Sequence, residues 1–449
     1  MANGVSKTVI NIMLILAVDL GSTNFKAAVF DNSLTILGAG SCPLEYRFAA
    51  GGCVELDAGH AVEAFDEAAR GAIASADIAS EDIHCVTLTS QAQTFTVVDS
   101  RGQPKIPFIS WQDTRAGETC RELADGDELA DFGNHASFGQ LLDVLQVCQL
   151  AHIRHKRPDL IEPDDSILHL STFLARRLIG HSVIDRNLAA MSGLYSLIDN
   201  DWWPPALAVC GLATEQLASL VPIGAITGQI IEDGDCNLLP PGIPVVLAGN
   251  DQTSGAYGAA LEEGLKVGQG GALLLTLGTA LVAYACTAEL AQPSGVLVRG
   301  PYPTGLYYRL ATDSGGGAIV NWAKTVLQGC ASDAEFSAHV EEAQPGCQGL
   351  IFDADLPGGR GAWRNLAFCH TSADMARAVI ESLSRRMAEL VDSMELDLER
   401  MRVLAAGGGS RSKAWVSILS QTMGCPIEIT DADPLRGAAR MGRESFGGT

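Results

Sequence analysis

Apolar stretches of strand length alternate along this chain with longer segments in which apolar residues recur at helical spacing. Strand-like runs occupy residues 85–89, 95–99, 245–248 and 402–404, and helical periodicity marks residues 61–76, 141–160, 171–178, 318–327, 373–397 and 413–423. The alternation is present in both halves of the chain. Because alternating strands and helices are typical of α/β domains, the pattern predicts an α/β protein.

A distinctive pattern lies near the start of the chain, where an apolar run ends in Asp19. A turn of small residues, Gly21-Ser22-Thr23, leads into a second strand-like run, and this combination predicts a β-hairpin. Its tip offers backbone N–H groups and two hydroxyls to phosphate oxygens, and a neighbouring carboxylate suits Mg²⁺. We therefore expect a phosphate-binding turn with Asp19 as the metal ligand. An ordinary edge hairpin with a capping aspartate is the alternative.

The same arrangement recurs in the second half of the chain. Residues 271–284 form an apolar run, a Gly278-Thr279 turn and another apolar run. Duplication of a supersecondary unit indicates a repeated architecture. Two phosphate-binding hairpins that face each other would hold the polyphosphate of a nucleotide between two domains.

Two further glycine clusters extend this prediction of nucleotide binding. The glycines at 407–409, followed by Ser410, join a strand-like run to a helical segment, which is where α/β folds place ligands. Glycines let a flat ligand approach the backbone closely, and a serine can cap the new helix. The loop that contains Gly316 is expected to enter a helix near the nucleotide, or else to be a simple glycine-rich turn.

A carboxylate suited to catalysis stands at another strand-to-helix junction. Asp251 follows the buried run 245–248 and a tight Gly249-Asn250 turn, and it precedes a helix of small residues. Phosphoryl transfer to an alcohol needs a group that accepts the hydroxyl proton and directs its oxygen at the γ-phosphorus. An aspartate suffices, because the loose transition state depends mainly on positioning and charge neutralisation. An N-cap aspartate that only begins the helix is the alternative.

Polar side chains cluster at two other predicted strand ends. Gln91, Gln93 and Asp113 supply neutral amides and a carboxylate. This set matches a polyol, whose hydroxyls both donate and accept hydrogen bonds. Trp111 could present an apolar wall to the C–H face of a sugar. The alternatives are core packing for Trp111 and a structural salt bridge for the nearby Arg115.

Composition narrows the class of protein. The chain has 449 residues, 47% of them hydrophobic and 18% charged, which describes a globular protein large enough for two domains. The net charge of −23 argues against nucleic acids and anionic membranes as partners, because both select basic surfaces. The 12 cysteines form no CxxC pair, which indicates free thiols in a reducing cytoplasm rather than a zinc or disulfide framework.

The order of these motifs resembles the FGGY carbohydrate kinases. The motifs are the first hairpin, the Gly249-Asn250-Asp251-Gln252 turn, the Gly278-Thr279 hairpin and the glycines at 407–409, and the resemblance covers about residues 14–441. Each motif is weak alone, but their order and spacing together are specific. The resemblance implies an α/β protein of two ribonuclease H-like domains, the actin-like ATPase fold, with a cleft between them. We expect a sugar-binding domain over residues 1–247 and a nucleotide-binding domain over residues 248–449.

The resemblance also implies ATP and Mg²⁺ as cofactors and a role for each candidate residue. Asp251 would be the catalytic base, and Asp19 would hold the metal directly or through water. The residues implied in nucleotide binding are Gly21, Ser22, Thr23, Gly278, Thr279, Gly316, Gly407, Gly408, Gly409 and Ser410. Those implied in substrate binding are Gln91, Gln93, Trp111, Asp113 and Gln252. A small sugar or polyol is the expected partner, and a homodimer is left open.

Several departures from the family pattern bear on substrate and activity. Gln91-Ala92-Gln93 lacks both the imidazole and the carboxylate that family members commonly place there. Ala280 stands where a serine commonly follows the Gly-Thr pair, so a hydroxyl contact to phosphate is missing. A long family loop is reduced to residues 357–364.

The leading hypothesis is therefore an ATP-dependent kinase for a small sugar, with a pentulose-like ketose as the expected substrate. A kinase for glycerol or another polyol is one alternative. A sugar-binding or regulatory protein of the same fold with impaired catalysis is another, and the departures motivate it. An ATPase that acts on protein, like actin or Hsp70, would not need polyol-binding residues such as Gln91 and Trp111.

Overall fold

The structure is a computed structural model that describes residues 13–232, 238–266, 270–295, 297–355 and 360–447. Two compact units divide the chain. The first is drawn from residues 1–130, 141–255 and 434–449, and the second from residues 131–140 and 256–433. Residues 248–255, which the domain prediction assigned to the second half, lie within the first unit, as does the end of the chain.

Strands and helices alternate in both units, as the hydrophobic pattern predicts. The strands are β1 (Leu14–Leu20), β2 (Asn24–Phe30), β3 (Ile36–Pro43), β4 (Tyr46–Ala49), β5 (Cys53–Leu56), β6 (Ile83–Ser90), β7 (Phe95–Val98), β8 (Phe108–Ile109), β9 (Ser166–His169), β10 (Val183–Asp185), β11 (Tyr195–Ser196), β12 (Asp201–Trp202), β13 (Ser219–Val221), β14 (Ile226–Gln229), β15 (Pro244–Asn250), β16 (Ala272–Leu277), β17 (Leu281–Thr287), β18 (Val298–Tyr302), β19 (Leu306–Asp313), β20 (Ile351–Asp355), β21 (Arg360–Arg364), β22 (Arg402–Ala406) and β23 (Ile427–Ile429). The helices are α1 (Ala58–Ser75), α2 (Gly117–Asp125), α3 (Phe132–His135), α4 (Gln146–Lys156), α5 (Leu170–Ile179), α6 (Arg186–Met191), α7 (Pro204–Cys210), α8 (Asp251–Gly258), α9 (Glu263–Lys266), α10 (Gly317–Val326), α11 (Asp333–Glu342), α12 (Ser372–Asp392), α13 (Lys413–Met423) and α14 (Pro434–Gly447). Within the described ranges, no helix has the length and apolar character needed to cross a membrane.

A six-stranded sheet forms the centre of the first unit, in the order β14-β15-β6-β1-β2-β3. β1, β6 and β15 are parallel to one another, whereas β2, β3 and β14 pair antiparallel with their neighbours. Every residue of β1 is buried, as expected for a strand that is covered on both faces. α1 and α14 both pack against β1, so the first and last elements of this unit share one core.

The second unit repeats this plan in the order β18-β19-β17-β16-β22-β23. β16, β22 and β23 are parallel, and β16 forms an antiparallel hairpin with β17. Leu275 of the hairpin shares a buried core with Val379 of α12 and Trp415 of α13. Both hairpins predicted from the apolar runs are therefore present, each beside a parallel strand, and the predicted duplication is confirmed.

Two predicted helices are shorter in the structure than the hydrophobic pattern suggests. α4 begins at Gln146 rather than at 141, because Leu145 has an extended backbone and stands at the N-cap. α12 ends at Asp392 rather than at 397, and Glu395 beyond it has φ of +52°, a left-handed conformation that does not continue a helix.

Two glycines in β3 determine how closely α1 packs on the sheet. A Cβ atom at Gly38 would lie 2.2 Å from the backbone nitrogen of Ala76, and one at Gly40 would lie 2.3 Å from the carbonyl oxygen of Ala68. Gly71 of α1 faces the same strand, and a Cβ there would lie 3.3 Å from the Cα of Gly40. Small residues on both sides therefore let the backbones of helix and strand touch.

We expect Gly40→Val to lower the free energy of unfolding by about 3 kcal/mol or more, because the new side chain overlaps the α1 backbone and the helix must move away. Gly295→Val is the matched control, since a Cβ at Gly295 meets no atom within 4 Å. Urea denaturation of both variants, followed by circular dichroism, measures the effect. Equal midpoints for the two variants would contradict this account of the helix–strand contact.

Candidate active site

Three parallel strands bring the predicted chemistry of the first unit to one edge of its sheet. Asp19 of β1 pairs in register with Thr89 of β6, and Asn250 of β15 pairs with Ser90. The carboxyl ends of the three strands therefore coincide, which is where open α/β sheets bind ligands. The metal candidate Asp19, the substrate candidate that follows Ser90 and the catalytic candidate that follows Asn250 all leave the sheet at this edge.

Gln91 connects the end of β6 to the turn after β1. Its backbone N–H donates to the carbonyl oxygen of Leu20 at 3.0 Å, and its side-chain amide donates to the carbonyl oxygen of Gly21 at 3.1 Å. The hydroxyl of Thr94 donates to the remaining amide oxygen at 3.1 Å. Gln91 therefore holds the predicted phosphate turn in place. Because it also begins the predicted substrate loop, we expect a change at Gln91 to affect the binding of both phosphate and substrate.

The phosphate turn lies directly beside the predicted metal ligand. Asp19 is 7% exposed, and a Cβ atom at Gly21 would lie 3.7 Å from its Oδ2 atom. Among the described residues there is no cluster of three or more His, Cys, Asp or Glu side chains that could hold a metal. A single carboxylate fits Mg²⁺, which keeps several waters and takes further ligands from phosphate. Asp19 thus meets the requirement for a magnesium ligand, and Ser22 and Thr23 follow it in the turn.

Asp251 occupies the first turn of α8, immediately after β15. The backbone N–H of Gln252 donates to its Oδ1 atom at 2.9 Å. Burial raises the pKa of Asp251 above the ordinary aspartate value, while hydrogen bonds from the backbone and side chain of Gln252 lower it in part. A carboxylate in this environment is more basic than one in water, as a proton acceptor requires.

The loop that presents Asp251 is held by Asn187 of α6, a residue that the sequence analysis missed. The Asn187 side-chain oxygen accepts the N–H of Asn250 at 2.9 Å, and its amide donates to the hydroxyl of Thr253 at 3.0 Å. The Asn250 side chain in turn accepts the N–H of Thr253 at 2.7 Å. Gly249 has φ of +74°, which completes the tight turn. The Asp-Arg-Asn sequence that caps α6 was the available signal, but it indicates only a helix start.

Gln93 joins the same network through its side chain and its carbonyl group. Its side-chain oxygen accepts the N–H of Gln146 at 3.3 Å, and its carbonyl oxygen accepts the Gln146 side chain at 3.2 Å. Its amide donates to the carbonyl oxygen of Met191, whose sulfur lies 2.8 Å from the Asn250 amide. The substrate candidate Gln93 is therefore linked to the Asp251 loop through α6, and Gln146 is a second residue that the sequence analysis missed.

Asp113 and Trp111 stand in contrasting environments. The Asp113 carboxylate is fully buried and accepts hydrogen bonds from the Val54 N–H at 2.6 Å and from two nitrogens of Arg115 at 2.9 and 2.6 Å. Arg115 also bonds Glu55 at 2.8 Å, so the structural salt bridge proposed for it is present. Because protein donors engage this carboxylate, we expect Asp113 to act on substrate indirectly, by positioning its loop. Trp111 is 40% exposed and thus has a free surface for a sugar.

The second unit has a matching edge, with a cavity beside it. Thr276 of β16 pairs in register with Ala406 of β22, so the Gly278-Thr279 turn and the glycines at 407–409 leave the sheet together. A cavity of about 780 Å³ opens here. Its lining includes Gly278, Thr279, Gly317, Gly408, Gly409, Ser412 and Trp415. Its size and glycine-rich wall are suitable for a nucleotide.

The predicted glycines of this unit fall into two groups. A Cβ at Gly316 would lie 2.7 Å from Ala280, and one at Gly409 would lie 2.6 Å from Trp415, so these positions are needed by the fold itself. Gly407 has φ of +87°, and its carbonyl oxygen accepts the Ser410 hydroxyl. By contrast, a Cβ at Gly408 meets nothing within 4 Å, and one at Gly278 meets nothing closer than 3.5 Å. Those two glycines leave space that a ligand could use.

Trp415 lines the cavity and is almost completely buried. The residue is 3% exposed, and its indole Nε1 atom has no hydrogen-bond partner among the described residues. Because the Nε1 atom is itself enclosed by protein, Trp415 contributes its indole ring to the wall of the cavity rather than a hydrogen bond to a ligand.

The departures from the family pattern lie in these turns. The N–H of Gly278 donates to the carbonyl oxygen of Ala280 at 3.1 Å, so backbone alone closes the turn. Ala92 separates Gln91 from Gln93 without adding a polar group. Residues 357–359 of the shortened loop lie outside the described residues, and the rest of it forms β21, which pairs with β20.

Comparison with known proteins establishes the class to which these two units belong. A model of the N-terminal domain of the FGGY family of carbohydrate kinases matches residues 14–258, and a model of the C-terminal domain matches residues 273–442. The fold and the matched domains define a carbohydrate kinase, a phosphotransferase whose acceptor is an alcohol group. The chain belongs to the FGGY family of carbohydrate kinases.

Relatives within the family differ in their named substrates. A glycerol kinase of Agrobacterium fabrum is 27% identical over 441 residues, covering 92% of this chain and 86% of the relative. An L-fuculokinase of Salmonella typhi is 25% identical over 453 residues, covering 96% and 92%. The solved structure of a xylulose kinase from Rhodospirillum rubrum has a TM-score of 0.86 and 21% identity, covering 97% of this chain and 90% of that one. The family and the fold are thus shown, and the identities leave the substrate undetermined.

Asp185 caps α6, the helix whose Asn187 holds the Asp251 loop, and its buried carboxyl group makes the stability of this region depend on pH. It is fully buried at the N-cap of α6, where it accepts the N–H groups of Asn187 and Leu188 at 3.0 Å each. Burial raises its pKa to about 6, because desolvation disfavours the charged form more than these hydrogen bonds favour it. The unfolded value is about 3.9, so the folded state binds the proton more tightly. Its contribution to stability is therefore greatest below pH ~3.9 and is lost as the pH rises to about 6.

We expect Asp185→Asn to abolish the loss of stability that the Asp185 carboxyl group causes as the pH rises, because asparagine caps a helix without carrying a charge. The stability of the variant relative to the parent should increase between pH 4 and pH 7 by at most about 3 kcal/mol. Urea denaturation at several pH values measures the difference, and Asp159→Asn, an exposed change, is the control. A stability difference that stays constant with pH would contradict the shifted pKa.

Proposed function

We propose that this protein transfers the γ-phosphoryl group of ATP to a hydroxyl of a small sugar or polyol. Asp251 is the general base, and a pentulose-like ketose is the substrate class. The observation that carries the proposal is the register of β1, β6 and β15, which brings Asp19, Gln91 and Asp251 to one sheet edge. A carboxylate that can hold Mg²⁺ and a proton acceptor at one edge are groups that phosphoryl transfer to an alcohol uses, and the Gln91 amide braces the phosphate turn beside them.

Asp251 accepts the proton of the attacking hydroxyl in this proposal. Its raised pKa makes it a stronger base than an exposed aspartate, and the Gln252 N–H fixes the orientation of its Oδ1 atom. Asn187 holds the turn on both sides of Asp251 and so limits the positions that the carboxylate can adopt. Positioning of this kind supplies much of the catalysis, because the transition state needs little covalent help.

The second unit binds the nucleotide in this proposal. The open glycines 278 and 408 receive phosphate and ribose against the backbone, and the indole ring of Trp415 forms part of the wall beside them. Asp19 would hold Mg²⁺ directly or through water, and the bound metal would supply positive charge to the phosphates. The chain's net charge of −23 makes this compensation necessary, since the overall field repels ATP.

The substrate class rests on neutral amides and an aromatic surface. The neutral Gln91-Ala92-Gln93 loop and the partly exposed Trp111 suit a neutral chain of hydroxyls better than a charged sugar acid. The amides of Gln91 and Gln93 are bonded within the protein, so they act on the substrate by shaping this loop, as Asp113 does. L-fuculose, named for one relative, is a ketose, and glycerol, named for another, is a smaller polyol. A ketose uses the aromatic surface more fully, and a kinase for glycerol or another polyol is the alternative. Release of ADP with a panel of ketoses and polyols decides between them.

A sugar-binding or regulatory protein with impaired transfer is the second candidate function. Ala280 removes a hydroxyl from the phosphate turn, and Ala92 leaves the sugar loop without a charged group. The raised pKa of Asp251 and the Asn187 hydrogen bonds that hold its turn favour the enzyme. We also propose a reducing compartment such as the cytoplasm, because the 12 cysteines of the sequence form no CxxC pair.

Asp251→Asn should lower kcat by at least about 10²-fold, because the amide cannot accept the hydroxyl proton. Substrate affinity should change little, and Asp159→Asn should behave like the parent enzyme. Steady-state ADP release and calorimetric binding of the best substrate measure the two effects. Turnover of Asp251→Asn within a few-fold of the parent would remove Asp251 from the catalytic role.

Gly278→Val should weaken binding of ADP by at least about tenfold, because its side chain fills space beside the phosphates. The protein should still fold, since a Cβ there meets only Ala280 and Thr276 atoms at 3.5 and 3.7 Å. Calorimetry with ADP, with Gly295→Val as control, gives the affinities. Unchanged ADP affinity in a folded Gly278→Val protein would refute the nucleotide site.

A further inference from the structure

The first unit contains a second cavity that none of the predicted site residues lines. Its volume is about 460 Å³. The start of α1, the turn at 101–104 after β7, and one side of α5 form its walls, together with Ile231. The proposed kinase reaction assigns no role to this space.

Three arginines line this cavity, although the chain as a whole is strongly acidic. Arg101 comes from the turn, and Arg176 and Arg177 come from α5. The Asp66 carboxylate lies 3.8 Å from Arg177. Within the described parts of the chain, no carboxylate forms a salt bridge with Arg101 or Arg176. Asp66 offsets the charge of Arg177, and Asp99 interacts electrostatically with Arg101, so Arg176 is the cation of this cavity whose charge a bound anion would balance most directly.

The turn is built to lie against one of these cations. Gly102 has φ of +82°, and a Cβ there would lie 3.1 Å from an Nη atom of Arg176. The Asp99 side chain accepts the N–H groups of Arg101 and Gln103 at 2.9 and 2.8 Å, which shapes the turn. The backbone of the turn and the Arg176 guanidinium are therefore in contact, and Arg101 is held beside them.

We propose that this cavity binds a small anion that carries a phosphate group. Guanidinium groups bind phosphate oxygens in pairs of parallel hydrogen bonds, and two arginines from different elements can grip one phosphate. The cavity is larger than a phosphate needs. Val62, Pro104 and Phe173 give it an apolar wall, and Gln103 gives it a neutral polar group. These features suit the carbon and hydroxyl part of a phosphorylated small molecule.

Calorimetry on the full chain at constant ionic strength tests the proposal with inorganic phosphate, glycerol 3-phosphate and citrate as probes. We expect glycerol 3-phosphate to bind with Kd below about 1 mM. Arg176→Gln and Arg101→Gln should each weaken binding by about tenfold, and the exposed Arg157→Gln should not change it. Circular dichroism confirms that each variant is folded.

The probes and variants separate the outcomes. Inorganic phosphate that binds as tightly as the ester identifies free phosphate as the ligand, whereas a clear preference for the ester identifies a phosphorylated small molecule. Both support the site. Absence of phosphate binding, binding unaffected by both arginine variants, or binding of citrate alone would overturn it. Loss of binding in Gly278→Val but not in Arg176→Gln would also overturn it, because the phosphate would then occupy the nucleotide turn.

Discussion

The register in which β1, β6 and β15 pair is the constraint on which the rest of the first unit depends. Parallel pairing aligns Asp19 with Thr89, and Ser90 with Asn250, so the ends of three strands that are distant in the chain lie at one edge of the sheet. A shift of one residue would turn each side chain to the opposite face of the sheet. The buried apolar residues of β1 make such a shift costly. The buried apolar residues of β1 thus fix the register of the strands, and with it the positions of the site residues, although they contact no substrate themselves.

The same principle operates in the second unit, but there glycine rather than polar side chains forms the edge. Gly316 and Gly409 allow backbones and Trp415 to pack closely, whereas Gly278 and Gly408 leave space open. The glycines of this edge therefore have two roles: some permit close packing within the protein, and others leave space for a ligand. The first unit relies instead on the amide groups of Gln91, Gln93 and Asn187, which are tied to backbone atoms around the loop they support.

Local features were predictable from sequence, and the long-range polar network was not. The two hairpins, their small-residue turns and the placement of Asp251 after a buried strand follow from short runs of residues, and the structure has all three. Asn187 reaches Asn250 across 63 residues, and Gln146 reaches Gln93 across 53. Nothing in the neighbouring sequence distinguishes these amides from surface residues. The position of Trp415 in the cavity wall was not predictable either, because a tryptophan in a helical segment usually indicates only core packing.

The chain's last helix has a consequence for how the protein is made. α14 packs against β1, β6 and β15, and a Cβ at Gly442 would lie 2.5 Å from Thr87 of β6. Domains fold largely as units while the ribosome is still extending the chain. The second unit can complete its core once residue 433 has emerged, whereas the first unit waits for 434–447. The unit that carries Asp251 is thus begun first and finished last, so a truncated nascent chain contains no completed site.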